Sequence, residues 1–201
     1  MTYILPKTLT FAEFIAQYGD NPAYELIDGE LREMEPTGPH ETVAGNIAGR
    51  IFVEILKANL NWIVPKNCLI KPPAAEAMAL RPDVIVLDED QLTQEPLWQK
   101  EPIICNGQTI KLVVEVVSTN WQDDYARKVE EYAFLGIAEY WIVDYLGLGG
   151  VAFIGKPKQP KFTVCRLVND VYGQEQYNLN ERIDSTLFPD LKLCLADLLP
   201  R

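Results

Sequence analysis

The sequence predicts an α/β fold in which strands alternate with amphipathic helices, and three observations carry that prediction. Val43, Ile47, Ile51 and Ile55 recur at helical spacing through PHETVAGNIAGRIFVEILK. VIVL at 84–87 and VVEVV at 113–117 are β-branched runs of strand length, the kind that packs on both faces of a sheet. Asp28-Gly29 separates the strand-like runs YELI and ELREM, and a type I′ hairpin turn needs residues that accept positive φ at both central positions.

Each element follows in chain order. TFAEFIAQYG at 10–19 sets Phe11, Phe14, Ile15 and Tyr18 at helical spacing, with Thr10 as N-cap and Gly19 as the stop. The hairpin over 23–34 comes next. The long helix over 37–60 takes Thr37 or Gly38 as its cap and Pro39 in its first turn; Ala44, Ala48, Phe52 and Leu56 flank its apolar stripe. NWIVPKNCLIKPP reads as one strand and LRPDVIVLDED as another. Residues 88–110 contain Pro96, Trp98, Pro102 and Gly107 without periodicity, which predicts a long excursion, either a functional loop or a peripheral lobe. TIKLVVEVVST is the central strand. The helix NWQDDYARKVEEYAFLG then turns Tyr125, Val129 and Tyr132 inward and ends at Gly136. EYWIVDYLGLGGVAFIG predicts a hairpin around 147–150. KFTVCRLV and the stretch to TLFPDLKLCLADLL supply short strands and a closing helical turn. With no repeat or linker, residues 1–201 read as one domain.

Composition narrows the function. At 48% hydrophobic and 23% charged residues over 201 positions, the chain has the makings of a sizeable core. No apolar run approaches the roughly 20 residues that cross a bilayer, and MTYILPKTLTFAEF lacks the basic and apolar regions of a signal peptide. A cytoplasmic protein with no membrane partner is expected. Cys68, Cys105, Cys165 and Cys194 are scattered, with no CxxC pair, and read as structural thiols rather than zinc ligands or disulfides. A net charge of −11 weighs against a broad basic nucleic-acid surface, but not against a small carboxylate site neutralised by divalent cations. The single histidine, His40, confines any histidine-dependent nucleophile to one place, and no nucleophile elbow or phosphate-binding glycine loop is present.

Glu115 is the anomaly. A carboxylate in the middle of VVEVV costs several kcal/mol unless a cation or donors meet it. Alternation puts Glu115 with Val113 and Val117 on one face of the sheet. Asp83 follows Pro82 at the start of its own strand. If the two strands pair, both acids converge, and either one is protonated or a divalent cation lies between them. Asp124 and Lys128, four apart on the following helix, share a face from which the lysine can reach back toward Glu115.

These residues resemble the nuclease superfamily marked by Pro-Asp, a spacer, then an acidic residue, any residue and lysine: here Pro82-Asp83 and Glu115-Val116-Val117. More closely, the chain resembles the Uma-two family of restriction-endonuclease-like proteins within that superfamily. YELIDGEL, PHE at 39–41, RPDVIVL, VVEVVS, DYARKVEEY, GIAEYWIVD and FPDLKL carry the resemblance in this order along almost the whole chain. Val117 replaces the superfamily's usual lysine, and Lys128 matches family members in which that role has moved to the next helix.

The resemblance implies a restriction-endonuclease-like α/β fold, a central mixed β-sheet flanked by helices with the site at one sheet end. It implies Mg²⁺- or Mn²⁺-dependent phosphodiester hydrolysis, with nucleic acid, DNA foremost, as the partner, and a homodimer. Asp83, Glu115 and the Val116 carbonyl would hold the metal, and Lys128 would orient the nucleophile or offset charge. Glu41, Glu25, His40 and Asp124 are supporting candidates. Two alternatives stand beside this: a binding or regulatory module that kept the fold and lost the chemistry, and a hydrolase of another phosphate ester.

Overall fold

The computed structural model describes residues 8–34, 36–73 and 75–200. The expectation about a leader falls largely on residues 1–7, outside the described residues. No helix among the described residues is long and apolar enough to cross a membrane.

Helix α1 (Phe11–Tyr18) starts at Thr10, whose side chain accepts from the Glu13 backbone while Glu13 reaches back to the Thr10 N–H. Gly19 ends it in an ordinary right-handed conformation, φ −55°, so the stop is not the left-handed glycine expected. Strands β1 (Tyr24–Ile27) and β2 (Glu30–Glu33) form the expected hairpin, with Asp28 and Gly29 at φ 51° and 81°. Helix α2 (Gly38–Lys57) is capped by Thr37 and buries Val43, Ile47, Ile51 and Ile55.

The segment read as one strand over 61–73 is two. Strand β3 (Trp62–Ile63) pairs antiparallel with β5 (Val84–Asp88), whereas β4 (Leu69–Ile70) pairs parallel with β6 (Ile103–Ile104) in a separate small sheet. Pro65 between them restricts the residue before it and supplies no N–H for a ladder, so the chain leaves one sheet there and joins another. Residues 88–110 form the peripheral lobe, with 3₁₀ turns at Glu89–Gln94 and Gly107–Thr109 on either side of β6.

The main sheet orders its strands β10-β9-β8-β7-β5-β3, with β7 (Ile110–Val116) inside it. β7 runs parallel to β8 (Glu139–Asp144) and antiparallel to β5, so the sheet is mixed, as expected. Helix α3 (Lys128–Phe134) follows β7 through a π turn at Asp123–Arg127. The hairpin expected around 147–150 is instead a turn leading into the short helix α4 (Val151–Ile154). The strand that returns beside β8 is β9 (Lys161–Val168), paired in turn with β10 (Val171–Tyr177). The chain closes on a 3₁₀ turn at Leu195–Leu198.

Two large cores cover the sheet's two faces. Leu112, Val114 and Val116 pack with the α2 stripe and the C-terminal segment on one face. Val113 and Val117 pack on the other with Tyr132 and Tyr140. The predicted alternation along β7 therefore holds, and Glu115 faces α3.

Candidate active site

The antiparallel β5–β7 pair places the first residue before β5 beside the last residues of β7. The Val116 N–H donates to Asp83 Oδ2 at 2.7 Å, and Asp83, Glu115 and Val116 line one cavity of about 520 Å³. The two acids predicted to converge at the sheet end do so.

Lys128 reaches the cavity because the helix before it is widened. Its N–H donates to the Asp123 carbonyl five residues back, a π turn, and the Tyr140 hydroxyl holds the Asp124 carbonyl at 2.9 Å. The wider turn brings Asp124, Tyr125, Lys128 and Tyr132 all inward and leaves Val129 half-buried, where regular α-helix spacing separated the polar pair from the tyrosine stripe. Lys128 is 4% exposed, and its ammonium sits 3.1 Å from Glu25 Oε1, 3.2 Å from Glu115 Oε1 and 3.3 Å from Asp124 Oδ1. Tyr132 donates its hydroxyl to the same Glu115 Oε1 at 2.7 Å. Glu115 is thus held by a tyrosine and a lysine through one oxygen. Glu115 Oε2 and Asp83 Oδ1 accept no hydrogen bond among the described residues.

Of the supporting candidates, Glu25, His40 and Asp124 line the cavity. Glu25 comes from hairpin strand β1, and its second oxygen accepts from the Arg81 N–H at 3.2 Å. His40 Nε2 lies 2.8 Å from the Val116 carbonyl, which can only accept, so this nitrogen carries the proton; the same nitrogen is 3.5 Å from Asp83 Oδ2. His40 Nδ1 is buried and has no hydrogen-bond partner among the described residues. Glu41 is exposed and outside the cavity lining. One residue along α2 is a rotation of about 100°, so with His40 aimed inward Glu41 must turn away. Sequence reasoning missed Ser118, Thr119 and Asn120, which line the cavity after β7; the small polar run directly following an apolar strand was their signal.

Four carboxylates, Glu25, Asp83, Glu115 and Asp124, therefore line one cavity, and three of them, all but Asp83, share the Lys128 ammonium. Burial pushes Glu115 well above the usual carboxylate range against the pull of Lys128. Burial also raises Asp83, and takes Asp124 to about 6. For Lys128, burial works to depress the pKa, but Glu115, Glu25 and Asp124 outweigh it and hold the ammonium well above its ordinary value. Desolvated acids pushed toward protonation are what a divalent cation would relieve, and oxygen donors suit a hard ion. No three histidine, cysteine or acidic side chains among the described residues form a metal-binding group by themselves. A cation at this place would rest on two carboxylates, backbone oxygen and water, a donor set that fits Mg²⁺, which keeps several waters.

The chain is similar to a known family and to a solved structure. The family described as "Uma2: Putative restriction endonuclease" matches residues 11–196. A crystal structure of a protein from Anabaena variabilis ATCC 29413, titled as a "putative nuclease", superposes with a TM-score of 0.70 at 17% identity. The superposition covers 94% of this chain and 97% of that one. At that identity the likeness establishes the fold. No curated protein matches the chain.

Proposed function

The chain belongs to the Uma2 family, and from that premise we propose that it is a Mg²⁺-dependent endonuclease hydrolysing phosphodiester bonds in DNA. The observation supporting this most is the meeting of Asp83 and Glu115 in one cavity beside the buried Lys128 ammonium. Asp83 and Glu115, with the Val116 carbonyl, would hold Mg²⁺ or Mn²⁺. When bound, such a cation lowers the pKa of a coordinated water and neutralises charge on phosphate.

The remaining residues position that apparatus. The Val116 N–H fixes the Asp83 carboxylate, and His40 pins the Val116 carbonyl from the other side of the same peptide neighbourhood. Tyr132 fixes the Glu115 rotamer through Oε1 and leaves Oε2 for a ligand. Lys128 is a permanent positive charge in a low-dielectric pocket, where it offsets negative charge developing on phosphate. Its desolvated site makes that charge worth more than it would be in water. Side-chain acid–base catalysis alone supplies only about 10²–10⁴-fold, so the chain without its metal should be nearly silent on a phosphodiester.

A second reading has its own support. A cavity of about 520 Å³ on a chain of net charge −11 suits a small phosphate ester, which needs no basic surface. One experiment separates the readings. Mn²⁺ is titrated calorimetrically into the wild type, Asp83→Ala and Glu115→Ala, each checked for folding by circular dichroism, and the wild type is then offered supercoiled plasmid, single-stranded oligonucleotide and aryl phosphate esters. Saturable binding lost in both variants, with plasmid nicking, is expected. Hydrolysis of aryl esters alone supports the second reading. Absence of metal binding in the wild type refutes both and leaves a module that kept the fold without the chemistry.

A further inference from the structure

Charge is spread unevenly along this chain. No acidic residue lies between Asp144 and Asp170, a stretch that carries Lys156, Lys158, Lys161 and Arg166. All 29 acids and the other 14 of the 18 lysines and arginines lie outside it. Arg166 is tied to Glu175 and Asp184, and Lys161 donates to Asn178. Lys156 and Lys158 are exposed, and neither pairs with an acid among the described residues.

The fold brings this stretch to the candidate active site. Strand order puts β8 on the side of β7 away from β5, and the turn after β8 supplies Tyr145, Leu146 and Leu148 to the cavity lining. Asp144 builds that turn. It accepts the Leu148 and Gly149 N–H groups at 2.8 Å each and is fully buried, so it presents no charge to solvent. The lysine segment lies against the same turn: Lys158 Nζ donates to the Leu148 carbonyl at 2.8 Å. A Cβ on Gly147, at φ +67°, would sit 2.9 Å from the Gln159 carbonyl carbon, so glycine is what lets the two segments touch. The acids of the lining all come from elsewhere, from the hairpin, the start of β5, β7 and the π turn.

We infer that Lys156 and Lys158 form a phosphate-binding strip beside the cavity, along which a DNA strand is led to the acidic site. This deepens the nuclease reading and rests on it for the identity of the partner. At net −11 the chain repels a polyanion, which approaches with least opposition where the local sign is reversed. A cation in the cavity serves one phosphate; the neighbouring phosphates of the same strand need positive charge outside it. The acid-free strip supplies that charge and is joined to the cavity lining through Leu148. Ser118, Thr119 and Asn120 add polar groups to the same lining without adding acid. Two lysine ammoniums act as point charges on the backbone, so the strip positions DNA and reads no base.

The test is fluorescence anisotropy of a labelled DNA duplex with the full chain in EDTA, from about 20 to about 200 mM KCl, so that binding is read without hydrolysis. Affinity should fall as salt rises. Lys156→Gln and Lys158→Gln, each with an unchanged circular dichroism spectrum, should lower the slope of log affinity against log salt by about 0.9. At about 50 mM KCl each should bind about tenfold more weakly, equally for unrelated sequences. Lys100→Gln, exposed in the peripheral lobe at the opposite end of β7, should bind like the wild type. A wild type that does not bind at about 20 mM KCl, lysine variants that keep the wild-type slope, or an equal loss in Lys100→Gln would each overturn the proposal. Failure of the nuclease reading looks different: the strip then binds DNA as described, and no divalent cation brings about nicking. Plasmid nicked at equal rates by the wild type and the double variant would remove the strip and leave the nuclease standing.

Discussion

Replacing Lys128 by methionine keeps much of the side chain's length and volume and removes its charge. In the wild type that charge is shared by Glu25, Glu115 and Asp124 at 3.1, 3.2 and 3.3 Å, all of them buried. Removing one partner of a buried ion pair costs about 3–5 kcal/mol, because the other is stranded without water or counter-charge. Against a total stability of about 5–15 kcal/mol this is a large fraction. With a urea slope of about 2–3 kcal/mol per M, the midpoint at pH 8 should fall by roughly 1–2.5 M. The deficit should shrink toward pH 5. Asp124 already binds its proton with a pKa of about 6 in the folded wild type, against an ordinary 3.8, and losing the neighbouring cation raises Asp124 and Glu115 further, so lowering the pH neutralises their stranded charges. Urea titrations of both proteins followed by circular dichroism at pH 8 and pH 5 measure this. Equal midpoints at pH 8, or a deficit that grows toward acid, would refute the reasoning.

Three further outcomes are expected. Tyr132→Phe removes the 2.7 Å bond to Glu115 and should cost about 1.5–3 kcal/mol by the same titration, the range for a hydrogen bond to a charged group. Without metal, wild-type stability should fall as pH rises from about 4 to about 6: Asp124 has a folded pKa above its unfolded one, so the folded chain holds more protons across that window. Asp28 and Asp197, whose values are lowered, act in the opposite sense, but below about pH 4. Thermal melts across this range with EDTA should show the slope, and saturating Mg²⁺ should flatten it. Gly107→Ala should destabilise by about 1–3 kcal/mol through overpacking, since its Cβ would sit 1.8 Å from the Leu135 carbonyl oxygen; a melting temperature equal to the wild type's would contradict that packing.

What could be read from the sequence was whatever local chemistry determines. Asp28-Gly29 fixes its turn through backbone conformations few other pairs accept, and the α2 stripe follows from spacing alone. The meeting of Asp83 and Glu115 was legible because antiparallel pairing of two apolar strands joins the start of one to the end of the other. What escaped depended on distant partners. WIVPKNCLI looks like one strand until Pro65 and two separate sheets divide it. VAFI has strand-like composition, yet it forms a helical turn, with Phe153 against the Trp121 and Tyr125 rings. The contact of Glu25 with Lys128 was hidden for the same reason: nothing within YELIDGEL says where the hairpin docks. Glu41 was misplaced by position alone, because the inward rotation of α2 is set by the core and gives that direction to His40.

The hairpin that brings Glu25 is not a strand of the main sheet. It is fastened by the Leu26–Ala79 bridge, by the Gly29 N–H donated to the Ala77 carbonyl, by Arg81 donating to Tyr24 and Glu25, by an apolar cluster shared with α1, β4 and β6, and by two arginine clasps: Arg127 to Asp28 at 2.9 Å and Arg32 to Asp123 at 3.2 Å. The constellation is therefore finished by an add-on, not by the scaffold. Until that flap is latched, the ammonium has one acid fewer to answer to, and the chamber stands ajar on that side. The fourth acid of the cavity thus depends on the docking of a peripheral hairpin, whereas Asp83 and Glu115 depend only on the pairing of β5 with β7.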